Sequence, residues 1–219
     1  MDGVSAWSAA VQGLTPLLDW RELPLDLPSL AALAAGLGWA SGLRLYALVF
    51  VLGALGRFGG VQLPGGLEVL SHPLVLGLSG LMLAVEFFAD KLPWLDSLWD
   101  AVHTFIRIPA GAALAAAVMG DQGGALQVAA ALAGGTLAAG THFAKAGARA
   151  AINTSPEPAS NVATSLGEDA LFAGGLWALL THPLWFLGGL AVFAVLATLL
   201  IVLLWRFIRR IFRRRPATT

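Results

Sequence analysis

Glu86-Phe-Phe-Ala-Asp90-Lys-Leu-Pro-Trp-Leu-Asp96-Ser-Leu-Trp-Asp100-Ala-Val-His103-Thr-Phe-Ile-Arg107 decides how the rest of the chain is read, because it puts charges where the surrounding sequence is too apolar for water. A helix that begins after Pro93 carries Asp96, Asp100, His103 and Arg107 at i, i+4, i+7 and i+11, one stripe of its surface. Trp94, Leu98, Trp99, Val102, Phe105 and Ile106 cover the remainder. Glu86 and Asp90 repeat the four-residue step just before the break. Acids and bases among so many aromatics line a wet cavity, bind a ligand or pair with one another.

Outward from that stretch, the 219 residues are 58% hydrophobic and only 12% charged, with a mean hydropathy of +0.78. This is the composition of an integral membrane protein, and apolar runs of about twenty residues recur along nearly the whole length. The expectation is an all-α, polytopic helical membrane protein with about six transmembrane segments. With no cysteine there is no disulfide framework, thiolate metal site or cysteine nucleophile. Net charge is zero, but Arg206, Arg209, Arg210, Arg213, Arg214 and Arg215 crowd the end and leave thirteen acids against seven bases in the body.

In chain order, residues 1–29 read as an amphipathic, polar lead-in without the basic start of a secretory signal. Residues 30–205 form the transmembrane domain and 206–219 a basic tail. The first span, Leu30 to about Leu55, carries Arg44 and the only tyrosine, Tyr46, near its midpoint, where an arginine needs a partner inside the bundle: Glu86 or Asp90, nearest in sequence, or else Glu168 or Asp169. His72-Pro73 opens a second span running to about Asp90. A third spans about Ala101 to Gly120, and a fourth follows from Ala125, dense in glycine and alanine so that helices approach closely. His142, Lys145 and Arg149 step along its end into a second polar island, Asn153-Thr-Ser-Pro-Glu157-Pro-Ala-Ser-Asn161. Ser165-Leu-Gly-Glu168 reads as a capping box opening a fifth, half-length or re-entrant segment, apolar only from Ala170 to Leu180. Leu184 to Trp205 is a sixth, uniform, lipid-facing span. Six spans place both termini in the cytoplasm; five move the amino terminus outside.

Ser71-His-Pro-Leu74 recurs as Thr181-His-Pro-Leu184, and Gly42-Leu-Arg44 as Gly147-Ala-Arg149, in the same order. An internal two-fold repeat explains the echo, as does chance in a chain this rich in Gly, Ala and Leu. A repeat would be the layout of many secondary transporters, with a central site at interrupted helices.

The two islands are the candidate chemistry. Arg44, Tyr46, Glu86, Asp90, Asp96, Asp100, His103, Arg107, Lys145, Arg149, Asn153, Glu157 and Asn161 are the candidate substrate- or ion-binding residues, and Asp96, Asp100 and His103 the candidate metal ligands. The competing reading is a clamp in which the acids pair with Lys91, Arg107, Lys145 and Arg149 only to hold helices together. His72 and His182 read as helix-start residues. No H-E-x-x-H, G-x-S-x-G, phosphate-cradling Gly-Lys-Ser/Thr or cofactor fingerprint occurs, so no catalytic residue or cofactor is named and a lipid-modifying enzyme is the third reading. The arginine tail suits anionic lipid rather than nucleic acid. A homo-oligomer is compatible with these features.

Gly38-Trp-Ala-Ser-Gly-Leu-Arg-Leu-Tyr46, Glu86 to Asp100 with His103, and Lys145-Ala-Gly-Ala-Arg149 followed by Asn153-Thr-Ser-Pro-Glu-Pro158 and Asn161 resemble the bacterial membrane family called domain of unknown function four-one-two-six. The resemblance covers about residues 30 to 180 and implies a small multi-pass inner-membrane protein, without an activity. Transport of a small solute or ion is the expected function, with a membrane scaffold as the alternative.

Overall fold

The computed structural model describes residues 26–154 and 158–213. Among them all regular structure is helical: α1 (Leu27–Phe58), a 3₁₀ helix (Gly65–Ser71), α2 (Pro73–Ala89), α3 (Pro93–Val118), a 3₁₀ turn (Gly120–Gln122), α4 (Gly124–Ile152), α5 (Pro158–Thr181) and α6 (Pro183–Arg213). Proline sits in the first turn of five of these helices, where its missing N–H costs nothing. Asp26 caps α1 by accepting from the Ser29 amide (3.3 Å), and His72 caps α2 by accepting from the Leu74 amide through Nδ1 (3.2 Å). The second His-Pro step, His182-Pro183, likewise lies at a helix start.

Among the described residues four helices are long and apolar enough to cross a membrane: Leu27–Phe58, Trp94–Val118, Gly124–Ile152 and Pro183–Phe207. A fifth span is available if the 3₁₀ helix and α2, bent by 72° at their junction, count as one broken element. The multi-pass character holds, while six separate apolar spans do not emerge by this measure. α5 is one continuous helix of 24 residues rather than a half-length one, about 36 Å long, but its polar first half keeps it out of the apolar set. The expected capping box is corrected as well: the helix has already begun at Pro158, so Ser165 and Glu168 lie inside it. Their polarity mimicked a helix start because it serves a buried site instead.

α1 lies at the centre of the bundle and folds back at Arg44, so that Leu33 of its first half lines the same space as Leu52 and Leu55 of its second. In its most apolar window 72% of residues are buried, against 11% for α6. α1, α3 and α4 pack most intimately, and glycines set their separation. A Cβ on Gly38 would stand 2.6 Å from the Gly134 Cα, one on Gly42 would stand 2.7 Å from the Thr141 Cβ, and one on Gly111 would stand 2.6 Å from the Ala138 Cβ. The pairings Gly38–Gly134 and Gly42–Thr141 advance together, so the first half of α1, up to Arg44, runs parallel to α4, whereas Gly111–Ala138 and Gly134–Ala115 run oppositely and make α3 antiparallel to both. Each helix presents small residues four apart: Gly38 and Gly42, Gly111 and Ala115, Gly134 and Ala138. This is the small-xxx-small device of membrane helix packing.

Candidate functional site

One turn beyond that glycine seam the core turns polar. α1 breaks its helical geometry at Arg44 (φ −143°, ψ 72°), and Lys145 of α4 donates to the Leu43 carbonyl beside the break (3.4 Å). α3 carries Pro109 in its interior, and Ser41 donates its hydroxyl to the nearby Arg107 carbonyl (2.8 Å). An interruption in each of two facing helices admits side chains to the backbone at this level.

Arg44, Glu86, Asp90, Asp96, Asp100, His103, Arg107, Lys145, Arg149 and Asn161 are each at most 5% exposed, so the structure draws these expected site residues into the interior. Arg107 lies between Glu86 Oε1 (2.5 Å) and Asp100 Oδ1 (2.9 Å). Arg149 forms a two-point bridge to Glu168 (2.7 and 2.8 Å) and donates to Asn161 Oδ1 (2.9 Å) and the Asp90 carbonyl (3.0 Å). Such two-point pairs are the strongest a guanidinium makes. Arg44 pairs with Asp90 and with Asp169 (2.8 Å), and also reaches Ser165 Oγ (3.3 Å), which supplies the partner that its mid-span position demands. Lys145 sits among Glu168 (3.4 Å), Asp90 (3.7 Å) and Asp100 (3.9 Å).

The histidines are held by donors and acceptors that fix their protons. Arg107 can only donate, so His142 Nδ1 accepts from it (3.4 Å). His142 Nε2 therefore donates to Thr104 Oγ1 (2.7 Å), whose own proton goes to the Asp100 carbonyl (3.0 Å). His103 stacks on Trp99, donates through Nδ1 to the Trp99 carbonyl (2.7 Å), and accepts at Nε2 from the Tyr46 hydroxyl (2.9 Å). Both rings are consistent with neutral imidazole.

Asp90 occupies the turn between α2 and α3. Burial would raise its pKa, but Lys145, Arg44, Arg149 and Arg107 outweigh that and hold it below the usual carboxylate range. Asp96 is different. It is fully buried, yet its nearest base is Arg149 at 3.7 Å and its nearest amide donor is Asn153 Nδ2 at 3.5 Å.

Among the described residues the ion-pair network joins four bases, Arg44, Arg107, Lys145 and Arg149, to six carboxylates, Glu86, Asp90, Asp96, Asp100, Glu168 and Asp169. Glu86 Oε2, Asp90 Oδ1, Asp96 Oδ1 and Asp100 Oδ2 are buried and accept no hydrogen bond there. No group of three or more His, Asp or Glu side chains among the described residues is arranged to hold a metal ion: Asp100 is committed to Arg107, and His103 to Tyr46 and Trp99. Lys91, expected among the clamp's bases, instead donates to the Phe87 carbonyl (3.0 Å) and lies over that ring. Glu157 lies outside the described residues.

Ser41, Thr104, His142 and Ser165 lay outside the expected site, and Glu168 and Asp169 entered it only as possible partners of Arg44. His142 was open to discovery, since it shares a helical stripe with Lys145 and Arg149. Ser41 and Thr104 carry no such signal, because a hydroxyl in a membrane helix more commonly bonds its own backbone.

No curated protein and no solved structure matches the chain. Residues 31–206 match the family described as a domain of unknown function, DUF4126. That match extends over the polar network and all six helices, and the chain is therefore a member of the DUF4126 family.

Proposed function

We propose that the protein moves a small cation, protons included, through the acid-rich core at the broken centre of α1. One observation carries the reading: six carboxylates face four bases, and four of the buried acids each keep one oxygen without a donor. With every group ionised the network carries two surplus negative charges in a medium where charge is poorly screened, so it attracts a cation and repels an anion. The break at Arg44 adds the interrupted-helix feature that transporters place at mid-membrane. The parallel placement of α4 and the first half of α1, which carry the echoed Gly-x-Arg steps, fits a two-fold repeat around that centre.

The basic tail supports a topology in which the carboxyl terminus and this network lie toward the cytoplasmic side of a bacterial inner membrane. A reporter active only in the cytosol, fused after Thr219, is expected to be active; a periplasm-only reporter active there would invert the assignment.

The scaffold alternative is favoured by the tightness of the network, whose four bases all lie within an ion pair and are buried. Proteoliposomes separate the two. A transporter dissipates an imposed proton or alkali-cation gradient faster than empty vesicles; a clamp does not.

A further inference from the structure

α4 uses two adjoining faces. His142, Lys145 and Arg149 turn inward to the charges, while Ala146, Gly147 and Ala150 turn outward as the floor of a groove. Its far wall is Leu204, Trp205 and Phe207 of α6, and its volume is about 480 Å³, within the range of small-ligand sites. The groove is open along one side, and its lining residues carry no charge. Small residues on one wall and large apolar ones on the other leave a trough for a flexible aliphatic chain.

The end of this trough is chemically distinct. Arg209 falls four residues after Trp205 and Arg210 three after Phe207, which puts both one helical turn, about 5 Å, beyond the groove's last residues on α6. Both are exposed. An apolar trough that ends at two arginines matches the two halves of an anionic phospholipid, an acyl chain and a phosphate.

We propose that the α4–α6 groove binds one acyl chain of an anionic phospholipid whose phosphate is held at Arg209 and Arg210. This inference is independent of the transport reading, since none of the groove's lining residues belongs to the charged network.

The test uses the full-length protein in detergent, exchanged with an equimolar mixture of phosphatidylglycerol and phosphatidylcholine, and native mass spectrometry counts retained lipid. Wild type is expected to retain one phosphatidylglycerol with about a thirtyfold preference, the gain expected of two arginines near an anionic headgroup. Ala150→Trp fills the trough from its floor and should lose retention of both lipids. Arg209→Gln with Arg210→Gln should keep a bound lipid but lose the preference. Should Ala150→Trp fail to fold, Ala146→Trp blocks the same trough one turn away. Equal retention of the two lipids by wild type, wild-type retention by a folded tryptophan variant, or an unchanged preference in the arginine double variant would each overturn the proposal.

Discussion

α1 and α6 are of similar length, 32 and 31 residues, and both are apolar enough to cross a membrane, yet they are built on opposite rules: α1 is two helices that fold back at Arg44, and α6 is one. α6 is continuous and mostly faces outward, so its sequence needs only to be apolar and helical. α1 is buried on nearly all sides, breaks at Arg44 and contributes glycines where neighbouring backbones approach. In a membrane, apolarity carries little information about packing, because lipid is as apolar as leucine. Specificity therefore concentrates in glycines and charges, and substitutions should cost most where α1 and its partners carry them.

The largest effect is expected at Arg107→Met, which leaves Glu86 buried without its base and Asp100 with only Lys145 at 3.9 Å. Stability should fall by about 3 to 5 kcal/mol, read by thermal or denaturant unfolding in detergent. A loss below about 1 kcal/mol would mean that the core is hydrated and the pairs are weak.

Next comes Gly38→Ala. Its methyl group would meet the Gly134 backbone, which cannot rotate away as a side chain can, so the helices must separate at about 1 to 3 kcal/mol. An unchanged melting temperature would show that α1 and α4 are not held at this distance.

Asp90 gives a pH-dependent effect of intermediate size. Its folded-state pKa lies below its unfolded one, so its contribution is complete above the ordinary carboxylate range, about pH 4, and vanishes as pH falls through the lowered value. Asp90→Asn should melt below wild type at neutral pH, and the gap should close on acidification. A gap that is constant with pH would remove the charge argument.

The smallest effect belongs to α6. Leu199 and Leu203 are exposed, and Leu199→Ala should change stability by no more than about 0.5 kcal/mol. A larger loss would point to a packed surface on α6.

The stripe Asp96–Asp100–His103–Arg107 was legible in sequence because three charges and a histidine in one helix register are rare in an apolar chain and Pro93 marks where the register starts. The inward stepping of Lys145 and Arg149 followed from the same periodicity. Sequence offered Asp90 and Asp169 among the possible partners of Arg44, and both pair with it, but nothing local joins Arg149 to Glu168 or Arg107 to Glu86. The break at Arg44 was also hidden. No proline or glycine occupies that position, so local propensity predicts uninterrupted helix, and tertiary ion pairs accompany the departure. Conversely, Ser165 and Glu168 looked like a cap because a capping box and a buried polar patch share residue types.

The central claim is that the acid-rich core conducts a cation, and Asp96 is where it can be tested apart from folding. It is fully buried but has no base closer than 3.7 Å, so Asp96→Asn keeps its shape and breaks no short ion pair. The measurement is proton and alkali-cation flux into proteoliposomes of wild type and Asp96→Asn, each matched for melting temperature. The account predicts wild-type flux above that of empty vesicles and its loss in a variant that melts normally. Wild-type flux no greater than that of empty vesicles, or equal flux in Asp96→Asn, would contradict it and leave the charges as a clamp.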